Sequence, residues 1–260
     1  MPVVTRFAPA PTGYLHLGHV LNALHVWDAA RRDPGGQVLL RIEDHDRQRS
    51  RRTYEDAILD DLSWLGFTPD APLVRQSERY AIYEDALDSL RQRGLVYACS
   101  CSRSDFEGQR YPGTCRDKGL REGPGLALRV RLDDTVVHFV DGRLGPQTQQ
   151  PLMQCGDLLV RDRDGNWTYQ FAVTVDDWTQ EVNLVVRGED LLDSTGRQIV
   201  LARMLGRSQP PAFLHHALLM KSPTQKLSKS DGDSGIRELR ARGWTPAQVI
   251  SSLAHLRIST

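Results

Sequence analysis

The 260 residues suffice for one large α/β domain with a small appendage. Hydrophobic residues at 40% and charged residues at 25% fit a globular chain, and no stretch reaches the roughly 20 apolar residues of a membrane span. Thirty-three basic residues balance thirty-three acidic ones, which argues against a generally basic nucleic-acid-binding surface and leaves only local patches.

The opening residues, MPVVTRFAPAPTG, lack the basic start and apolar core of a signal peptide, so a cytoplasmic location is expected. Val3–Phe7 reads as a buried strand that runs into the loop Ala8-Pro9-Ala10-Pro11-Thr12-Gly13. Leu21, Leu24, Trp27 and Ala30 form the apolar stripe of a helix from Gly18 to about Arg32, stopped by Asp33-Pro34-Gly35-Gly36. Val38–Ile42 is a second buried strand leading into Glu43-Asp44-His45-Asp46, so the three elements make a βαβ unit with parallel strands.

Helices are predicted over Thr53–Leu65 and Ser77–Arg93, with Gly66 and Gly94 just past their ends. From Leu95 to about Trp178 the segments are short, β-rich and broken by Gly, Pro and Asp, the texture of an insertion that returns into the sheet. Val182–Arg187 is a further core strand, Asp193–Leu205 a helix and Phe213–Met220 a strand-like run. Thr245-Pro246-Ala247-Gln248 is a helix start, with Thr as N-cap and Pro at the first helical position. Residues 221–260 also gather Lys221, Lys226, Lys229, Arg237, Arg240, Arg242 and Arg257, on their own a solvated helical face.

Two motifs carry chemistry. His16-Leu17-Gly18-His19 sits where the first loop enters the first helix; a helix start offers unpaired N–H groups that suit phosphate. His16 and His19, three residues apart, face the same side, and Gly18 leaves room for close approach. Lys226-Leu227-Ser228-Lys229-Ser230 places two ammonium groups where they can meet phosphate oxygens. Each is weak alone: two histidines at a helix start and a cationic linker are both ordinary.

Together, in this order on an α/β scaffold, the two resemble the "HIGH" and "KMSKS" signatures of class I aminoacyl-tRNA synthetases. Arg6 through Gly13, Leu40-Arg41-Ile42-Glu43-Asp44, Tyr169 through Asp177 and Val185-Val186-Arg187-Gly188-Glu189-Asp190 are similar to the glutamyl and glutaminyl members. The likeness covers most of the chain up to Ser230. Shortness and the cysteine pattern narrow it to the glutamyl-Q tRNA(Asp) synthetases, truncated relatives without anticodon-reading helices. One position departs: full-length glutamyl enzymes carry Asn four residues after the pocket tyrosine, and here that place is Val173.

The resemblance implies a Rossmann-like parallel-sheet catalytic domain. Its halves are residues 1–94 and 181–220, an inserted zinc-bearing subdomain and return into the sheet occupy 95–180, and a lysine loop with a short helical tail occupies 221–260. His16, Gly18, His19, Lys226 and Lys229 are then the ATP-binding and catalytic residues. Arg6, Phe7, Ala8, Pro9, Ala10, Glu43, Tyr169 and Arg187 are the glutamate-binding ones. Arg6 and Arg187 each follow a core strand, and a guanidinium pairs bidentately with a carboxylate; Glu43 is placed for the ammonium. The resemblance assigns Arg187 to the side-chain carboxylate and Tyr169 to packing against the amino acid.

A cytoplasmic chain keeps its cysteines reduced. Cys99-Ser100-Cys101 is tighter than an ordinary zinc knuckle, and with Cys115 it offers three thiolates rather than four; three reduced cysteines are the alternative. The family's pattern makes Tyr111 the fourth ligand of one structural Zn2+ and leaves Cys155 a buried thiol.

The implied activity is formation of glutamyl adenylate from glutamate and ATP with Mg2+, without tRNA. The glutamate then passes to queuosine in the anticodon loop of tRNA(Asp). A monomer with no membrane attachment is expected. The alternatives are a compact glutamyl-tRNA synthetase that charges the 3′ end of tRNA(Glu), a small-molecule nucleotidylyltransferase and an inactive RNA-binding relative.

Overall fold

The computed structural model describes residues 1–106, 108, 110–222, 225–226 and 235–253, with the backbone alone at 220–222 and 225–226. In chain order the elements are β1 (Val4–Phe7), α1 (Leu17–Arg31), β2 (Gln37–Ile42), α2 (Arg52–Leu65), β3 (Val74–Arg75), α3 (Tyr80–Gln92) and β4 (Val96–Cys99). Then come β5 (Ala127–Val130), β6 (Val137–Asp141), β7 (Gly145–Gln149), α4 (Pro151–Cys155), β8 (Leu158–Arg161), α5 (Tyr169–Thr179) and β9 (Leu184–Gly188). The last are α6 (Thr195–Met204), β10 (Ala212–His216), β11 (Met220–Ser222), β12 (Gln225–Lys226), α7 (Ile236–Ala241) and α8 (Pro246–Leu253). No helix among the described residues is long and apolar enough to cross a membrane.

Two compact units divide the chain. The first comprises Met1–Gln76, Val182–Leu192 and Pro211–Thr260. Its strands are parallel, as the βαβ pattern requires: β1 pairs with β2 from Val4↔Gln37 to Phe7↔Leu40, β2 continues to β3, and β9 pairs with β10. Asn183 donates its N–H to the Val4 carbonyl at 2.9 Å, and Arg6 Nη1 reaches the Val186 carbonyl at 3.4 Å. These contacts advance together along both strands, so β1 and β9 run in the same sense. The stripe read from sequence on α1 is the buried one: Leu21, Leu24, Trp27 and Ala30 join Phe7, Val38, Ile42 and Val186 in the core. Gly66 and Gly94 lie at φ 81° and 68°, left-handed values that favour glycine after a helix.

Helix α8 starts as its sequence dictates. Thr245 and Gln248 cap each other, Thr245 N–H to Gln248 Oε1 at 2.8 Å and Gln248 N–H to Thr245 Oγ1 at 3.3 Å, and Val249 and Leu253 enter the core. Part of the basic patch is used internally. Arg240 pairs with Asp60 and Asp61 at 2.6 and 2.7 Å, and the Arg237 guanidinium lies 4.6 Å over the Tyr14 ring.

The second unit is Ser77–Glu181 with Asp193–Pro210. β4, β5 and β8 form an antiparallel sheet, and β6 and β7 a hairpin. The sequence texture of 95–178 indicated short strands throughout, whereas its last part is the helix α5. Phe171 through Asp177 are all buried, so α5 has no polar stripe from which a helical period could be read. Tertiary contacts override its β-branched composition. Asp176 at its centre, fully buried, takes a hydrogen bond from Arg79 Nε at 2.6 Å and another from Tyr83 Oη at 2.8 Å. The strand-like run 213–220 stops at His216, and the helix expected from Asp193 begins at Thr195 after a 3-10 turn.

Candidate nucleotide and amino-acid site

The His16–His19 turn is a capping box built from imidazoles. His16 is the N-cap of α1 with an extended backbone; its Nδ1 accepts the Gly18 N–H at 3.0 Å, and His19 Nδ1 accepts the His16 N–H at 3.1 Å. The two rings lie 3.9 Å apart between centroids. Both Nδ1 atoms act as acceptors, so in the neutral rings each proton sits on Nε2 and each Nε2–H is a donor. A Cβ at Gly18 would lie 2.9 Å from Cε1 of His16, so a larger residue there would displace that ring.

The lysine motif lies at the border of the described chain. Lys226 is described as backbone in the short pair β11–β12, and Lys229 lies outside the described residues. Gly235, the next described residue, forms a β-bridge with His16, and Ile236 N–H donates to the Leu15 carbonyl at 3.0 Å. The chain that leaves the lysine motif is thus tied to the histidine turn.

The charged side chains of the predicted pocket end three parallel strands. Arg6 on β1, Glu43 after β2 and Arg187 on β9 are 4%, 7% and 3% exposed, so their charges are held out of water where pairing is strong. The Glu43 N–H donates to the Pro9 carbonyl at 3.0 Å, which fixes the Ala8–Pro9–Ala10 loop against the end of β2; Arg41 Nη2 lies 3.5 Å from the Glu43 carboxylate. The Phe7 side chain points into the core, with its ring 5.8 Å from that of Trp27. Carboxyl ends of parallel strands are where open α/β sheets bind ligands.

Sequence reasoning missed His215. It is the register partner of Arg187 across β9 and β10, is fully buried, and accepts the Arg187 Nε–H on Nε2 at 3.0 Å. That bond makes the imidazole neutral, with its proton on Nδ1. Phe213 stacks on the His215 ring and lies 5.6 Å beneath the Arg187 guanidinium. The only clue in the sequence was a histidine inside an apolar strand.

Tyr169 and the cysteines belong to the second unit. Tyr169 is the first residue of α5, and Val173, one turn on, is 1% exposed. Sγ atoms of Cys99, Cys101 and Cys115 lie within 4.8 Å of one another, a group able to hold a metal ion. Cys101 Sγ is 3.6 Å from Cys115 Sγ, and Cys99 Sγ is 3.4 Å from Tyr111 Oη, which also accepts the Cys115 N–H at 2.8 Å. A tetrahedral ion with metal–sulfur bonds near 2.3 Å would set sulfurs about 3.8 Å apart and an oxygen about 3.5 Å from sulfur. The Cys101–Cys115 and Cys99–Tyr111 separations match those values. Burial pushes the Cys115 thiol up, but hydrogen bonds from Ser100, Cys101 and Cys99 outweigh it and bring it to about 6. Burial and the hydrogen bond to Cys115 raise Cys101 to about 11. A bound ion would displace the protons that such thiols carry.

The family model described as tRNA synthetases class I (E and Q), catalytic domain, matches residues 2–260. The chain belongs to this family. It is 40% identical over 274 residues to the Glutamyl-Q tRNA(Asp) synthetase of Rhodobacter capsulatus, across 95% of this chain and 98% of that protein. To the Glutamate–tRNA ligase 2 of Cereibacter sphaeroides it is 39% identical over 273 residues, across 98% of this chain and 61% of that one. A glutamate tRNA ligase from Elizabethkingia meningosepticum, crystallised in complex with its amino acid, superposes with a TM-score of 0.83 at 27% identity, covering 98% of this chain and 60% of that chain. The class I synthetase fold thus accounts for the parallel strands whose ends carry Arg6, Glu43 and Arg187.

Proposed function

We propose that this class I synthetase activates glutamate with ATP and transfers it to the queuosine base in the anticodon loop of tRNA(Asp). The observation that carries the reading is the similarity to the Rhodobacter capsulatus Glutamyl-Q tRNA(Asp) synthetase along nearly the whole of both chains. In the first step an oxygen of the α-carboxylate attacks the α-phosphorus of Mg2+-bound ATP, the bond to the β-phosphate oxygen breaks, and pyrophosphate leaves. The Nε2–H groups of His16 and His19, with Lys226 and Lys229, stabilise charge on the phosphates. Arg187, held by His215, pairs with the side-chain carboxylate of glutamate; Glu43 takes the ammonium; Arg6 and the Phe7–Ala10 backbone complete the pocket, and the family resemblance assigns Tyr169 to packing on the amino acid. In the second step a hydroxyl of the queuosine cyclopentenediol attacks the carbonyl of the mixed anhydride, its proton passes to solvent, and AMP leaves. Positioning and electrostatics carry both steps, with no protein nucleophile.

The cysteine cluster with Tyr111 would hold one Zn2+, whose part is to fix the fold around β4 and residue 115. We place the enzyme in the cytoplasm with its tRNA, as a monomer. A second reading, charging of the 3′ end of tRNA(Glu), rests on the similarity to the Cereibacter sphaeroides Glutamate–tRNA ligase 2, of which this chain covers 61%. The activation step is tested by ATP–pyrophosphate exchange with glutamate on RNA-free protein. Exchange with glutamate and not glutamine is expected; exchange that appears only after tRNA is added would refute tRNA-independent activation.

A further inference from the structure

A cavity lies wholly within the unit that carries the cysteines. Its volume is about 310 Å3, the low end of the ~300–1,000 Å3 of small-molecule pockets, with room for one nucleotide. Three arginines line it against a single carboxylate, Asp157. That carboxylate is already engaged: Oδ2 accepts from Tyr97 Oη at 2.8 Å, and Oδ1 accepts from Arg116 Nη1 and from the Leu132 N–H, each at 2.8 Å. It therefore does not neutralise the two guanidiniums that matter most. Arg129 on β5 is 7% exposed and donates from Nη1 to the Asp157 carbonyl at 2.8 Å, while its Nε is buried without a hydrogen-bond partner. Arg197 on α6 likewise has a buried Nε without a partner, and among the described residues it forms no ion pair. The wall also includes Thr168 and Tyr169, at the electropositive start of α5.

Aromatic faces sit beside these cations. The Arg129 guanidinium lies 3.6 Å over the Tyr111 ring, and Phe106 meets Tyr111 edge-on at 5.6 Å. Surplus positive charge, buried donors without partners and π faces in a nucleotide-sized space are the chemistry by which proteins hold single-stranded RNA: cations for the phosphate, rings for the base. A chain with no net charge needs such a local site. We propose that this cavity binds one unpaired nucleotide of the RNA substrate, its phosphate between Arg129 and Arg197 and its base toward Phe106 and Tyr111. The inference rests on the transfer reading above, and Arg129 and Arg197 are not among the groups proposed to activate glutamate.

The test uses the full chain with Arg197→Ala and Arg197→Lys. Three quantities are read: pyrophosphate exchange with glutamate alone, the Kd for queuosine-containing tRNA(Asp) across a salt series, and the KM for tRNA in transfer. Arg197→Ala is expected to exchange at the wild-type rate, to bind tRNA several-fold more weakly, and to lower the log–log salt slope by about 0.7, one single-strand phosphate contact. Arg197→Lys is expected to restore most of the affinity. Unchanged tRNA Kd, KM and slope in a folded Arg197→Ala protein would overturn the proposal. So would a raised KM for glutamate or ATP, which would give the cavity to the small substrates. A wild-type protein that exchanges with glutamate yet transfers none to tRNA(Asp) removes the transfer reading and this inference with it, whereas normal transfer with an indifferent Arg197→Ala removes this inference alone.

Discussion

Replacing His215 by Leu tests how the amino-acid pocket is held. The imidazole is fully buried and accepts the Arg187 Nε–H at 3.0 Å, so removing it leaves a donor of a buried guanidinium without that acceptor. Leu has nearly the volume of His, so little cavity is created and the change is mainly electrostatic. A hydrogen bond to a charged group contributes about 1.5–3 kcal/mol, and 1.4 kcal/mol is a factor of ten, so kcat/KM for glutamate should fall about ten- to a hundredfold. The KM for ATP should not follow, because the proposed ATP contacts lie at the histidine turn. His215→Gln keeps an acceptor near the same place and should recover part of the loss. Pyrophosphate exchange at varied glutamate and varied ATP gives both numbers. A folded His215→Leu protein with wild-type kcat/KM for glutamate would refute the view that His215 positions Arg187 for substrate.

Three further outcomes are expected. His16→Asn retains a side-chain acceptor for the Gly18 N–H, so the melting temperature should stay near wild type, while loss of a phosphate donor should slow exchange by about 10²–10³-fold; equal exchange rates would remove His16 from the chemistry. Protein purified without chelator should contain one zinc per chain by metal analysis, and Cys101→Ser should lose it; metal-free protein that is fully folded would refute a structural ion. Asp176→Ala removes a fully buried acid from Arg79 and Tyr83 and should destabilise the chain by about 3–5 kcal/mol in urea unfolding; a change under 1 kcal/mol would mean that the pair does not hold α5.

What was legible in the sequence was local. The loop after β1, the histidine turn and the strand ends at Arg6, Glu43 and Arg187 lie in contiguous patterns with a clear period or a glycine stop, and their elements form where those patterns put them. Helix α5 was not legible because burial of Phe171 through Asp177 on every side erases the amphipathic signal. His215 was hidden for another reason: its partner is 28 residues away, and only the parallel register of β9 and β10 brings the two together. The cavity of Arg129 and Arg197 is likewise a product of packing, assembled from a strand and a helix far apart in the chain. Lys229 was legible as a motif, and it lies outside the described residues.

The central claim is the acceptor. Radiolabelled glutamate, ATP and the protein should be incubated with tRNA(Asp) from queuosine-containing and queuosine-lacking cells and with tRNA(Glu), each both intact and trimmed at the 3′ end to remove the competing hydroxyls. Label that requires queuosine and survives trimming is the predicted result, and label confined to untrimmed tRNA(Glu) would contradict it.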